Sequence, residues 1–210
     1  MSTTVPARQG EVQRQGVTLL VGIVALMWVV EVINTLDGNA LDHDGIVPRD
    51  FGRLWGILTA PFIHASFAHL ISNTIPFVFM GAIIALRGAA RLALVTAIVV
   101  VVGGLGTWLI APVHTWTLGS SGVVFGYATY LLTRGMFNRS ALELLTGALV
   151  AVVWGGALLS SIVPRYGVSW QAHVCGAIGG VVAAWLLARQ RAGVQGAPAD
   201  RGSAAGALAK

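Results

Sequence analysis

The sequence predicts an all-α, polytopic membrane protein: a bundle of six membrane-spanning helices whose fourth helix is short and submerged. Three observations carry that expectation. Hydrophobic residues make up 56% of the 210 positions and charged residues only 10%, against about 25% charged in a soluble domain. A water-facing globule of this composition would lack the polar surface to cover itself. The apolar residues also gather into six stretches, at 17–34, 66–86, 92–110, 122–133, 141–163 and 170–188. Crossing a ~30 Å hydrocarbon core takes about 20 apolar residues, and most of these stretches reach that length. The 27 glycines suit helices that pack closely in lipid.

The first stretch follows Arg8 and Arg14 and lacks a small-residue cleavage site, so it is expected to remain as a helix rather than be removed as a leader. Residues 1–16 then form an N-terminal tail. The loop 35–65 is polar and turn-rich through Asp37, Asp42, Asp44 and Pro48; its second half, FGRLWGILTAPF, suits a short interfacial helix anchored by Trp55. Helices two, three, five and six are ordinary spans. The fourth, from Ser121 to Thr133, would be roughly 20 Å long. If its inner end reaches the surface at Arg134, its outer end starts below the opposite surface. The preceding loop APVHTWTLGSS must then dip into the protein, where irregular backbone survives only against protein or a wet cavity. The core spans 17–188, and residues 189–210, rich in Gly and Ala, read as a disordered tail.

Basic residues choose the orientation. With the N-terminus inside, the inner segments 1–16, 87–91, 134–140 and 189–210 hold nine arginines and Lys210, and the outer segments hold Arg49, Arg53 and Arg165. That asymmetry puts both termini in the cytoplasm of a bacterial cell membrane. The net charge of +5 forms no patch, so no nucleic-acid partner is expected. Cys175 is the single cysteine, which leaves no disulfide framework and no thiolate metal site.

Polar side chains inside a membrane are costly, and each is a functional hypothesis. His64, His69 and Asn73 fall at the outer end of helix two, Ser121 opens helix four, and His173 lies one turn into helix six. Three segments thus bring these groups to one depth. A serine hydroxyl becomes a nucleophile when a neutral histidine takes its proton. Gly122 and Gly126 face the pairing requirement on helix four, as Gly176 and Gly180 do on helix six; such spacing lets two backbones approach closely. No acidic residue lies in the outer halves of helices two, four or six, so a Ser–His dyad rather than a triad is expected. The Ser121 N–H, free at a helix start, and His69 and Asn73, on one helix face, are candidate donors to an oxyanion. Glu31 is expected to be structural, Glu143 solvated, and His64 a partner for the first loop. His43 and His114 belong in solvent.

The pattern resembles the rhomboid family of intramembrane serine proteases. GSSG at 119–122, HASFAHLISN at 64–73 and AHVCGAIGG at 172–180 are similar, in order and spacing, to the family's GxSG, HxxxxHxxxN and HxxGxxxG elements. The resemblance covers about residues 17–188. It implies Ser121 as nucleophile and His173 as general base, with His69, Asn73 and the Ser121 N–H as the oxyanion site. Gly119, Gly122, Phe125, Gly126, Gly176, Gly180 and His64 would support them. It also implies that the substrates are transmembrane helices of other proteins, with helix-destabilising stretches, cut near the outer surface after small residues. Neither metal nor cofactor is implied. Two positions depart from many bacterial relatives. Gly56 follows Trp55 where they carry arginine, and Phe125 stands where they carry a tyrosine that stacks on the catalytic histidine.

Two other readings compete. A non-catalytic relative that binds transmembrane helices would usually lack the serine or the histidine, and both are present. A transporter would place its polar residues near the midplane, whereas these lie toward the outer leaflet with no acidic residue among them.

Overall fold

A computed structural model describes residues 4–195, and these are almost wholly helical. Seven helices follow in order: α1 (Thr4–Leu36), α2 (Gly56–Thr59), α3 (Phe67–Ala85), α4 (Ala89–Ile110), α5 (Ser121–Asn138), α6 (Ala141–Ile162) and α7 (Trp170–Gln195). α2 is the short helix of the first loop. Five of the others are long and apolar enough to cross a membrane. The sixth is α5, at 18 residues the shortest of the long helices.

Local chemistry sets the boundaries. Ser66 begins α3 by accepting the His69 N–H at 3.2 Å, and Ser140 begins α6 by accepting the Glu143 N–H at 3.4 Å; both satisfy donors that a helix start leaves free. Arg139 ends α5 in the left-handed conformation at φ 51°. Backbone hydrogen bonds tie the loops to one another. Ile46 and Thr117 exchange backbone hydrogen bonds of 2.8 and 3.1 Å, and the Gly119 N–H donates to the Ala60 carbonyl at 2.9 Å. These bonds draw the segment before α5 against the first loop, where Thr117 and Ser120 are buried.

α5 lies at the centre, packed on α3, α4, α6 and α7. Its Val123, Val124, Tyr127 and Leu131 join Leu70, Met80, Leu92 and Ala183 in one buried cluster. The α5–α7 contact is the most extensive. A Cβ on Gly176 would overlap the Gly122 carbonyl, and one on Gly180 would overlap the carbonyl of Gly126. Apolar side chains on the outer faces, among them Val29, Leu105 and Val152, are the surface that lipid covers.

Several expectations need correction. α1 extends back to Thr4 and α7 on to Gln195, so helix occupies part of both expected tails; residues 1–3 and 196–210 lie outside the described residues. α5 continues five residues past Thr133, and Arg134 is inside it, 4% exposed, rather than at a solvated end. The Tyr130 ring lies 5.8 Å from its guanidinium carbon and covers it. Glu143 is not solvated either. It is 3% exposed, ion-paired with Arg87 and hydrogen-bonded by Asn138, because Gly135 lets the start of α6 close against α5.

Candidate active site

Ser121 opens α5, and the turn before it depends on Gly119, whose φ of 104° a side chain would resist. The absence of a Cβ matters there in a second way. His69 fills the space, and a Cβ on Gly119 would stand 2.7 Å from its ring carbon Cε1. His173 lies in the first turn of α7, where Ser169 holds the Ala172 N–H at 3.4 Å. The Thr117 hydroxyl donates to the Ser169 hydroxyl at 3.3 Å. The segments leading into the two helices are therefore linked just before each delivers its functional side chain.

The Ser121 hydroxyl is 3.0 Å from Nε2 of His173. On the other edge of the ring, Nδ1 lies 2.8 Å from the Ser161 carbonyl. A carbonyl only accepts, so Nδ1 carries the proton and Nε2 is left to accept from the hydroxyl. Phe125 stacks on the imidazole with centroids 4.4 Å apart and planes 7° apart. That position needs a ring and not a hydroxyl, which accommodates the departure noted in the sequence. Among the described residues no carboxylate bonds the ring.

A cavity of about 520 Å³ adjoins the pair, lined by Ser121, His173, His69 and Asn73, with Phe125, Val124, Pro76, Trp154 and Leu158 supplying apolar wall. A second, of about 600 Å³, lies over the loop ends through Trp116, Arg165, Tyr166 and Gln171, and shares His69 and Val168 with the first. His69 and Asn73 face the same space as Ser121. One amide hydrogen of Asn73 is held by the His69 carbonyl at 2.9 Å, leaving the second uncommitted.

His64 differs from its expected place. Its carbonyl accepts from Asn34 at 3.3 Å, but its ring faces the α5 entry, with Nε2 accepting the Ser120 N–H at 3.3 Å and lying 3.4 Å from the Ser120 hydroxyl. Burial, helped by the neighbouring His69 ring at 5.1 Å, pushes its pKa down to about 4. A neutral ring is what an acceptor of that N–H requires. Glu31 is fully buried in α1, while His43 and His114 are exposed. Sequence reasoning missed two contributors. Ser161 acts through its carbonyl, which no residue type advertises, and Asn34 is wired to the site only by the folded first loop.

Fold and site together describe an α-helical integral membrane protein in which a hydroxyl–imidazole pair lines a cavity between helices. The chain belongs to the rhomboid family: the rhomboid domain model matches residues 52–190. It is 43% identical to an uncharacterized protein of Mycobacterium tuberculosis (strain ATCC 25618 / H37Rv) over 82% of this chain and 75% of that one. An uncharacterized protein of Mycobacterium leprae is 44% identical, covering 82% and 71%. The putative rhomboid protease YdcA of Bacillus subtilis (strain 168) is 27% identical over 67% of this chain and 70% of its own.

Proposed function

We propose that this rhomboid-family protein is an intramembrane serine endopeptidase. The observation that carries the reading is the 3.0 Å approach of Ser121 to a His173 Nε2 whose tautomer is set by the Ser161 carbonyl. Nε2 removes the hydroxyl proton as Ser121 Oγ attacks a peptide carbonyl. The resulting tetrahedral oxyanion is met by the Ser121 N–H, the His69 ring and the free amide hydrogen of Asn73. His173 then gives its proton to the leaving amine, the C–N bond breaks, and an acyl-enzyme remains. Water enters from the cavity, loses a proton to Nε2 and releases the acid, restoring the hydroxyl.

Substrates are transmembrane segments of other membrane proteins. The cavity wall supplied by α6 is largely apolar, through Trp154, Ala157 and Leu158, which suits a segment arriving from lipid. The site opens to the outer face of the bacterial cell membrane with both termini in the cytoplasm, a reading supported by the basic residues at the Arg87, Arg134 and Arg139 end of the bundle.

A fluorophosphonate probe tests the chemistry without a substrate. Purified protein in detergent should be labelled at Ser121, with labelling lost in Ser121→Ala and reduced at least 100-fold in His173→Ala, the scale of general-base catalysis. Folded protein that takes up no label, or labelling unaffected in His173→Ala, would refute the proposal.

A further inference from the structure

The end of the bundle opposite Ser121 holds a charge cluster that the proposed reaction does not use. Three segments meet there: the α3–α4 turn with Arg87, the last turns of α5 with Tyr130, Arg134 and Asn138, and the first turn of α6 with Glu143. Both oxygens of the Glu143 carboxylate are committed, Oε1 to Arg87 and Oε2 to the Asn138 amide at 2.6 Å. Arg134 is within electrostatic reach of this carboxylate and of Arg87. Nevertheless its Nε and Nη1 are enclosed and have no hydrogen-bond partner among the described residues. Two cations therefore share one anion. The surplus charge falls on a guanidinium, which cannot shed its proton.

An enclosed cation that shares its counter-charge with a second cation is under-compensated, and the partial negative charge at the end of α5 offsets only part of the deficit. The end of a spanning helix lies at the level of the phospholipid headgroups, and a guanidinium matches a phosphate with paired hydrogen bonds. Arg87, whose side chain is 31% exposed, is the approach from the surface. A zwitterionic headgroup brings its own cation and would leave the cluster at +1. A headgroup with net negative charge would neutralise it. We propose that Arg134 and Arg87 form a binding site for the phosphate of an anionic phospholipid. The site is separate from the hydrolytic pair and does not depend on it.

The test uses the full chain in neutral detergent, titrated with phosphatidylglycerol or with phosphatidylcholine while thermal unfolding is followed. Phosphatidylglycerol should raise the Tm by about 5 °C and in proportion to the logarithm of its concentration once sites fill; phosphatidylcholine should not. Arg134→Met keeps the length and removes the charge. It should abolish the response, read against the variant's own Tm without lipid. Arg139→Gln, at an exposed position, should retain the response. Equal shifts with both lipids or an undiminished shift in Arg134→Met would each overturn the site. So would an equal shift from inorganic phosphate, which would assign the pair to a soluble anion.

Discussion

Among single residues, the histidines beside Ser121 and Ser120 are fixed by different means. His173 takes its tautomer from a carbonyl, whereas His64 is kept neutral by burial, with its pKa pushed down to about 4 from 6.5. The second has a consequence for stability. Because the unfolded chain takes up the proton first, His64 adds no pH dependence above about pH 6.5 and costs stability as pH falls from there toward 4, below which its contribution levels off. Thermal unfolding followed from pH 7.5 to 4 should show that loss, and His64→Gln should flatten it. A parent and variant with parallel curves would show that the ring is not titrating in this way. Ser121, His69, Asn73 and His173 could be read from sequence because lipid penalises each of them. The Ser161 carbonyl and the Asn34 bridge could not, since one has no side-chain signature and the other depends on a loop conformation.

Among elements, the α5–α7 contact is where small residues are indispensable. Gly180→Ala would press a methyl into the Gly126 carbonyl, with Thr129 alongside, and should cost on the order of 1–3 kcal/mol. Gly156→Ala on α6 meets nothing within 4 Å and should be neutral or stabilising by up to ~1 kcal/mol, since alanine forms helix better than glycine. Thermal unfolding of the two variants in one detergent checks the contrast. Helix positions followed the hydropathy well. Helix ends did not: Arg134 looked like the start of a loop because the chain turns polar there, and only burial under Tyr130 and beside Glu143 keeps it helical. The same burial hid the Arg87–Glu143 pair, whose members are 56 positions apart in sequence.

For the whole molecule, orientation is the property most open to a direct check. Cys175 is buried, so an introduced cysteine would be read against a quiet background. In intact cells an impermeant maleimide should label Tyr166→Cys, at a fully exposed position, and should leave Arg139→Cys unlabelled until the membrane is opened. The reverse pattern would invert the proposed topology. The fold class was legible from hydropathy alone, and the residues of the candidate site were singled out by three short motifs. What distinguishes the molecule's two ends in chemistry was less visible: a cavity beside Ser121 with no carboxylate in its wall, and an ion cluster around Arg134 and Glu143.

The wall of the cavity has a dual role. α6 is held firmly at its Glu143 end, where Gly135 and Gly147 admit close backbone contact, but a side chain at Gly155 or Gly156 would meet nothing within 4 Å, and Val152 and Leu159 face outward. The carbonyl that orients His173 belongs to Ser161, at the loosely held end. Moving that end outward beyond hydrogen-bond reach would release Nδ1, and the imidazole could then carry its proton on Nε2, a form unable to take one from Ser121. The position of α6 and the tautomer of His173 would thus be linked equilibria, coupled by no more than the free energy of the Ser161 contact.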